Sequence, residues 1–181
     1  MPDFHYAIAI LSVSLIVALL RCQKYKSLSE KDQFTGTFHR RWFDLNLVKF
    51  MKEAKAEDKP LGVVFLDLDN FKEINDSKGH AYGDHVLLAV VKAIRSAMGK
   101  TGKLARYGGD EFCVLLPNTT NNNFSITLSQ IKESIRNTGL ITASVGGTIF
   151  YPSESLNFSN LVNRADKGVH AAKGEGGNVL L

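Results

Sequence analysis

The chain has 181 residues, of which 44% are hydrophobic and 22% are charged. This length suits one domain of ordinary size, and this composition excludes a disordered or collagen-like chain. The net charge of +4 is too small to indicate a nucleic-acid groove, so we expect no nucleic-acid partner. Two distant cysteines, Cys22 and Cys113, exclude a disulfide scaffold and form no plausible zinc site with the five histidines.

An apolar segment comes first in the chain. Residues 4–20 read FHYAIAILSVSLIVALL and contain no Asp, Glu, Lys or Arg. A helix of this length rises about 25 Å, near the lower limit for crossing a bilayer. A buried core helix and a cleaved signal peptide are the alternatives, but Asp3 stands where a signal peptide is basic, and Arg21 spoils a lipoprotein-type site at Cys22. We expect a retained transmembrane signal anchor.

The residues after the apolar segment set its orientation. Basic residues outnumber acidic ones there, and such an excess marks the cytoplasmic side of a membrane span. The basic residues are Arg21, Lys24, Lys26 and Lys31. We therefore expect residues 1–3 outside the cytoplasm, a helical juxtamembrane stalk at 21–31, and one folded domain at 32–181 in the cytoplasm.

Alternating helix and strand patterns fill the remainder of the chain. The apolar run 61–66 is typical of a strand buried on both faces. Asp84 lies near the start of a strongly amphipathic segment and is a candidate helix cap. In chain order we expect helix 40–56, strand 61–66, helix 83–98, strands 103–107 and 111–116, helix 123–137, strand 141–150, helix 158–173 and an edge strand at 179–181. This order predicts an α/β sandwich with a mostly antiparallel sheet and flanking helices.

Two carboxylates follow the buried strand. Asp67 and Asp69 are two residues apart, so they lie on one face of the strand end, while Leu68 faces away and leaves its carbonyl available. A carboxylate at such a position either caps a turn or binds a hard metal ion. For this pattern alone, the cap is the commoner role.

The segment RYGGDEF, 106–112, predicts a tight hairpin. Gly108 and Gly109 supply the positive φ that such a turn commonly needs. The adjacent acids Asp110 and Glu111 repel each other unless a cation is present, and Mg²⁺ accepts such oxygen ligands together with substrate phosphates. If the hairpin lies beside Asp67, the arrangement suits metal-dependent phosphoryl transfer.

A polar segment, NFKEINDSKGHAYGDHVL, joins the two acidic motifs. Lys72 offers a point charge for phosphate. Asn75 can donate and accept hydrogen bonds and Asp84 can accept them, so the pair could recognise the edge of a guanine. The alternative is a capped turn, because Asn, Asp, Gly and His are all turn-prone.

Taken together, the motifs resemble one family. D-x-D-x-F-K-x-I-N-D-x-x-G-H-x-x-G-D followed by R-Y-G-G-D-E-F is similar to the GGDEF domain of bacterial diguanylate cyclases. Residues 32–36 with Arg40 and Arg41 resemble the opening motif of the family, and 165–178 resembles its closing motif. The resemblance covers 32–181.

The resemblance implies a fold, a reaction and a set of site residues. The fold is the palm-like domain shared with class III nucleotidyl cyclases. Two domains of a homodimer, each with one GTP, would form cyclic di-GMP and two pyrophosphates at the bacterial inner membrane. Magnesium, or manganese in its place, would be held by Asp67, the Leu68 carbonyl, Asp110 and Glu111, with Asp110 as the catalytic base and Glu111 assisting. Substrate would be bound by Lys72, Asn75, His80, Asp84, Gly108, Gly109 and Lys173.

The chain departs from the family pattern at several positions. Gly177 stands where an arginine is usual, His170 where a tyrosine is usual, and Gly168 where an alanine is usual. A glycine within a helix costs about 1 kcal/mol relative to alanine. The opening motif has Thr37 and His39 in place of leucine and asparagine. These departures leave an alternative open, a catalytically inactive GGDEF module that binds GTP or docks a protein, and a cyclase with another base preference is a third possibility.

The inhibitory product site of the family is also absent. It is an R-x-x-D motif five residues before the Gly-Gly, and the corresponding residues here are Gly99 and Gly102. We therefore expect little product inhibition through that site.

Overall fold

The computed structural model describes residues 30–175 and 179–180, together with Val13, Leu15 and Ile16. None of the helices formed by these residues is both long enough and apolar enough to span a bilayer. The anchor expected at 4–20 falls almost entirely outside the described residues, and so does the stalk expected at 21–31, apart from its last two residues. Of these, Glu30 is helical, and Lys31 already forms an antiparallel bridge with Phe38.

The described domain contains six strands and five helices. They are β1 Phe38–His39, α1 Arg40–Glu57, β2 Leu61–Leu68, α2 Phe71–Lys78, α3 His80–Met98, β3 Lys103–Arg106, β4 Glu111–Pro117, α4 Asn121–Arg136, β5 Ala143–Phe150, α5 Phe158–Glu175 and β6 Val179–Leu180. The helices flank one sheet, so the predicted α/β sandwich is confirmed.

The sheet is mixed, with the strand order β1-β3-β4-β2-β5-β6. Its four central strands pair antiparallel, as the sequence predicts, whereas the short edge strands β1 and β6 pair parallel with β3 and β5. The central strand β2 is buried from Leu61 to Leu66, which agrees with its continuous apolar sequence.

Alternate residues of β2 enter two separate hydrophobic clusters. Leu66 and Leu68 pack into the cluster on the side of α3 and α4. Val63 and Phe65 pack into the cluster on the side of α1 and α5. Among the described residues both clusters lie within 38–169, so the segment from residue 30 onward contains the whole of each cluster.

Two local expectations are wrong. The helix expected at 83–98 begins three residues earlier, at His80, after Gly79, whose φ of +81° ends the preceding helix. Asp84 is therefore in the second turn of α3 and does not cap it. The turn-prone residues after Asn70 instead form α2, because Phe71 is buried and holds this short helix against the core.

Gly168, which stands where the family pattern has alanine, packs against another glycine. A Cβ on Gly146 of β5 would overlap the carbonyl carbon of Gly168 and lie 2.7 Å from its carbonyl oxygen. The backbones of α5 and β5 therefore approach closely at this pair of glycines. Lys173 lies on the same helix, five residues after Gly168.

Candidate active site

The site forms where β2 ends. In the sheet register Asp67 lies between Glu111 of β4 and Ser144 of β5. The amide of Leu68 donates a hydrogen bond to the carbonyl of Asp110 at 3.2 Å. The hairpin acids and the strand-end acids therefore come together at one end of the sheet, and directly opposed carboxylates such as Asp67 and Glu111 repel each other.

Asp69 has a different role from Asp67. Its carboxylate accepts hydrogen bonds from Thr142 Oγ1 at 2.6 Å and Ser144 Oγ at 2.8 Å. Its amide also donates to the carbonyl of Thr142 at 3.0 Å. Asp69 thus joins the end of β2 to the start of β5, and Asp67 is the carboxylate of this pair that contacts a cation.

That cation is the ammonium group of Lys173. Lys173 Nζ lies 3.0 Å from Asp67 Oδ1, and its side chain is 45% exposed. The hydrogen bond to Asp67 is the main cause that raises the pKa of Lys173, and the charges of Asp67, Asp69 and Asp110 raise it further, against a smaller opposing effect of burial. The ammonium is therefore fully protonated at neutral pH and lies in the field of three carboxylates.

This donor set fits magnesium. Among the described residues no three His, Cys, Asp or Glu side chains converge closely enough to hold a metal ion by themselves. Mg²⁺ uses few carboxylates and completes its octahedron with water and phosphate oxygens, so Asp67 and Asp110 are enough protein charge. The Lys173 ammonium already demonstrates that this end of the sheet attracts positive charge.

The hairpin turn is held by its own backbone and by Arg106. The amides of Tyr107 and Gly108 donate to the carbonyl of Glu111 at 2.8 and 3.2 Å. Neither Gly108 nor Gly109 has a positive φ, so the expectation that they supply one is wrong. A Cβ on Gly108 would overlap the carboxylate of Glu111 and so displace that side chain, whereas a Cβ on Gly109 would meet nothing within 4 Å.

Arg106 joins this turn to the start of the domain. Its Nη2 and Nε donate to the carbonyl of Gly109 at 2.7 and 3.1 Å, and its Nη1 lies 3.5 Å from Asp32 Oδ1. Asp32 also accepts from the amide and hydroxyl of Thr35 at 2.8 and 2.6 Å. Burial raises the pKa of Asp32, but the hydrogen bonds from Thr35 and the charge of Arg106 outweigh it, so the pKa is lowered overall.

A cavity of about 410 Å³ opens beside the turn. Its lining includes six of the residues that the sequence proposes for the site, namely Lys72, Asn75, His80, Asp84, Gly109 and Asp110. The other five, Asp67, Leu68, Gly108, Glu111 and Lys173, lie outside its lining and belong to the strand end, the hairpin and α5. Asp110 borders both regions.

The structure adds residues that the sequence did not assign. The cavity is also lined by Phe71, Asp76, Leu87 and Arg106. Gly83 is a further one, because a Cβ there would overlap the amide oxygen of Asn75 and lie 3.3 Å from the ring of Phe71. Gly83 lies within the quoted motif, but only the crossing of α2 and α3 reveals that a larger residue there would displace the side chain of Asn75.

Family comparison agrees with this geometry. The model of the family described as "Diguanylate cyclase, GGDEF domain" matches residues 29–179. The chain belongs to the GGDEF diguanylate cyclase family. The fold described above is accordingly the palm-like GGDEF fold, with a mixed sheet and flanking helices.

Curated relatives of this GGDEF domain have more than one activity in their names. Cyclic di-GMP phosphodiesterase NbdA of Pseudomonas aeruginosa is 36% identical over 160 residues, which are 84% of this chain and 20% of NbdA. Probable diguanylate cyclase DgcT of Escherichia coli K12 is 31% identical over 166 residues, 86% of this chain and 36% of DgcT. The GGDEF domain thus matches well under half the length of either relative.

Solved structures match over nearly the whole chain. The coiled coil and GGDEF domain of DgcB from Caulobacter crescentus, in complex with c-di-GMP, superposes with a TM-score of 0.84 at 25% identity, covering 98% of this chain and 97% of that one. The GGDEF domain of DgcB alone, also with c-di-GMP, gives 0.76 at 29% identity, covering 84% of this chain and 92% of that one. The GGDEF domain of DgcB has thus been solved both with and without the coiled coil.

Proposed function

We propose that the protein is a diguanylate cyclase that condenses two GTP into cyclic di-GMP and two pyrophosphates. The observation that carries the proposal is the cavity in which Lys72, Asn75 and Asp84 share one lining with Asp110. Such a cavity combines groups for a base and for phosphates with a carboxylate at the reacting end. Diguanylate cyclases among the relatives support the same activity.

Asp84 and Asn75 of the cavity lining recognise guanine. Asp84 accepts from the N1–H and N2–H₂ donors of the base, and Asn75 pairs with its remaining edge. Phe71 and Leu87 provide the apolar wall and His80 completes the rim. Gly109, which has open space beside it, lets the nucleotide approach the turn closely.

The phosphates extend from the base toward the strand end. Asp67, Asp110, the Leu68 carbonyl and Glu111 would hold Mg²⁺, or Mn²⁺ in its place, on the oxygen ligands that such ions prefer. The bound ion would neutralise phosphate charge and favour ionisation of a ribose hydroxyl. Lys72 and Lys173 supply further positive charge for the triphosphate.

The chemical step transfers a nucleotidyl group. Asp110 accepts the proton of the 3′-hydroxyl, the 3′-oxygen forms a bond to the α-phosphorus of the second GTP, and the bond to the β-phosphate breaks, so that pyrophosphate leaves. The cavity holds one nucleotide, and the other must come from a second copy of the domain. A homodimer is therefore required, and the reaction occurs twice to close the ring.

Anchoring is part of the proposal. The apolar segment 4–20 and the basic residues after it support a single span in the bacterial inner membrane, with the GGDEF domain on the cytoplasmic side. A span would confine two copies to one surface and raise their effective concentration.

A second candidate function is a GTP-binding module without turnover. The phosphodiesterases among the relatives favour it, and so does Gly177 at a position where the resemblance expects a phosphate-binding arginine. The test is incubation of the full chain, in detergent micelles, with GTP and Mg²⁺, followed by nucleotide chromatography. Cyclic di-GMP supports the cyclase, whereas GTP that is bound but recovered unchanged supports the module.

A further inference from the structure

The outer surface of α1 has a distinct composition. At about 100° per residue, seven exposed side chains fall within one arc of about 120°. We call them the outer arc of α1, and they are Arg41, Leu45, Val48, Lys49, Lys52, Lys55 and Ala56. The arc contains four basic residues and no acidic one, although the whole chain has a net charge of only +4.

Apolar side chains lie among these cations. Leu45 is 65% exposed and Val48 is 39% exposed, which places both among the large hydrophobic residues that the domain leaves in solvent. They are one helical turn apart, so they form one continuous apolar spot. Basic residues around an exposed apolar spot are typical of helices that lie on a membrane surface.

Most of the positive charge on the arc is not neutralised internally. Lys49 Nζ lies 3.5 Å from Glu53, and Lys55 Nζ lies 5.7 Å above the ring of Phe150. Within the described part of the chain neither Arg41 nor Lys52 forms an ion pair with an acid. Both charges therefore remain available to an external anion.

The chain joins the domain beside this helix. Lys31 bridges to Phe38, and the ring of Phe38 stacks on Trp42 of α1 with centroids 3.6 Å apart. Only ten residues, 21–30, separate the apolar segment 4–20 from this junction at Lys31. Ten residues reach at most about 35 Å, which is similar to the diameter of a domain of this size.

We propose that the outer arc of α1 docks the GGDEF domain onto an anionic lipid surface. Leu45 and Val48 enter the headgroup region, while Arg41, Lys49, Lys52 and Lys55 contact lipid phosphates. The charge of the arc complements an anionic leaflet, and the junction at Lys31 keeps α1 within reach of it. The proposed anchor would bring the domain close to the membrane, but the arc that contacts lipid belongs to the folded domain itself.

The test uses the segment 30–181, which contains the whole of both hydrophobic clusters and lacks the apolar segment. Its sedimentation with vesicles of about 30% phosphatidylglycerol in phosphatidylcholine, and with pure phosphatidylcholine vesicles, measures docking. The double variant Arg41→Glu/Lys52→Glu reverses two unpaired charges of the arc. The matched control Lys92→Glu/Lys100→Glu makes the same charge change in exposed residues of α3 and the turn that follows it.

We expect binding to the anionic vesicles alone, weakened at least about tenfold by the arc variant and less than about twofold by the control. Leu45→Gln, which keeps the charge, should also weaken binding. Equal effects of the two double variants would make binding a matter of net charge and overturn the proposal. Absence of binding to the anionic vesicles would also overturn the proposal. The same holds if the segment does not bind vesicles but forms a dimer that the arc variant dissociates.

The outcome is separable from the proposed function. The vesicle assay requires neither GTP turnover nor the segment 4–20. A failure of docking would leave the cyclase activity and the anchor untouched, and an inactive enzyme could still dock.

Discussion

The ammonium of Lys173 lies 3.0 Å from the Asp67 carboxylate, at the position where the proposed magnesium site begins. A magnesium ion held by Asp67 would share this carboxylate with the Lys173 ammonium and compete with it. Lys173, if displaced from Asp67, would be free to contact the substrate phosphates. The lysine stabilises the acidic strand end while no metal ion is bound.

Lys173→Met should strengthen metal binding. An exposed ion pair such as Lys173–Asp67 contributes about 0.2–1 kcal/mol, and a metal ion would no longer have to break it. The variant also removes a positive charge that repels the ion, so Mn²⁺ affinity should rise about threefold to tenfold. Titration of free Mn²⁺ by electron paramagnetic resonance measures this without turnover. Lys167→Met, which removes an exposed lysine from the same helix, is the control. Unchanged or weaker binding in Lys173→Met would contradict the competition.

Gly83→Ala should separate substrate binding from stability. The new methyl group would displace the amide of Asn75, so the KM for GTP should rise about tenfold, consistent with loss of a good polar contact. Alanine also favours a helix over glycine by about 1 kcal/mol, which offsets local crowding, so the melting temperature should change little. Enzyme kinetics and thermal unfolding of the same preparation measure both. A normal KM would show that Asn75 does not read the base.

Gly146→Ala, unlike Gly83→Ala, should lower the stability of the fold. Here the methyl group would meet the backbone of Gly168, which cannot rotate away as a side chain can. We expect a loss of at least about 2 kcal/mol in the free energy of unfolding, in the range that overpacking causes. Urea unfolding followed by circular dichroism measures it, and a variant as stable as the parent would refute the close approach of α5 and β5.

Asp32→Asn should change how stability depends on pH. The pKa of Asp32 is lowered from its usual 3.8, so its contribution is present above that value and is lost as the pH falls through the lowered pKa. The variant should be less stable at pH 7 by about 1 kcal/mol and lose less stability than the parent below about pH 4. Urea midpoints across this range measure the effect. Glu133→Gln, which breaks the exposed pair with Arg136, should leave the profile nearly unchanged.

Product inhibition should be weak. Gly99 has a φ of +71°, which disfavours an arginine, and a Cβ on Gly102 would lie 3.0 Å from Met98 Cγ. The backbone at Gly99 thus favours glycine, and a side chain at Gly102 would have to displace that of Met98. Progress curves with added cyclic di-GMP should show competitive inhibition at most. Strong non-competitive inhibition, with tight product binding retained in Asn75→Ala, would reveal a second product site.

Local sequence predicted the sheet better than it predicted the helix ends. The strand at Leu61–Leu68 follows from its continuous apolar run. The hairpin lies where the Gly-Gly-Asp segment predicts it, although neither glycine has the positive φ on which that prediction relied. The sequence of α2 does not by itself indicate a helix, because its Asn, Asp and Ser residues favour turns, and the helix is held by the packing of Phe71 and Ile74 against the core. The sequence places Asp84 near a helix start because the amphipathic pattern becomes clear only from residue 83, whereas α3 already begins at His80.

The candidate site could be assembled from motifs only in part. Its acids and cavity residues lie in short, recognisable segments. The contact of Arg106 with Asp32 joins residues 74 positions apart, and the packing of Gly83 against Asn75 depends on the crossing of two helices. Such relationships require the fold, because nothing in either segment alone specifies the partner.

Product analysis of Asp110→Ala beside the parent protein, each with GTP and Mg²⁺, tests the proposed cyclase activity at its reacting carboxylate. We expect the parent to release two pyrophosphates for each cyclic di-GMP, and the variant to release neither while its thermal unfolding stays cooperative. Cyclic di-GMP formed by the variant at a rate near that of the parent would contradict the assignment of Asp110. A parent protein that binds GTP without forming any product would contradict the cyclase itself.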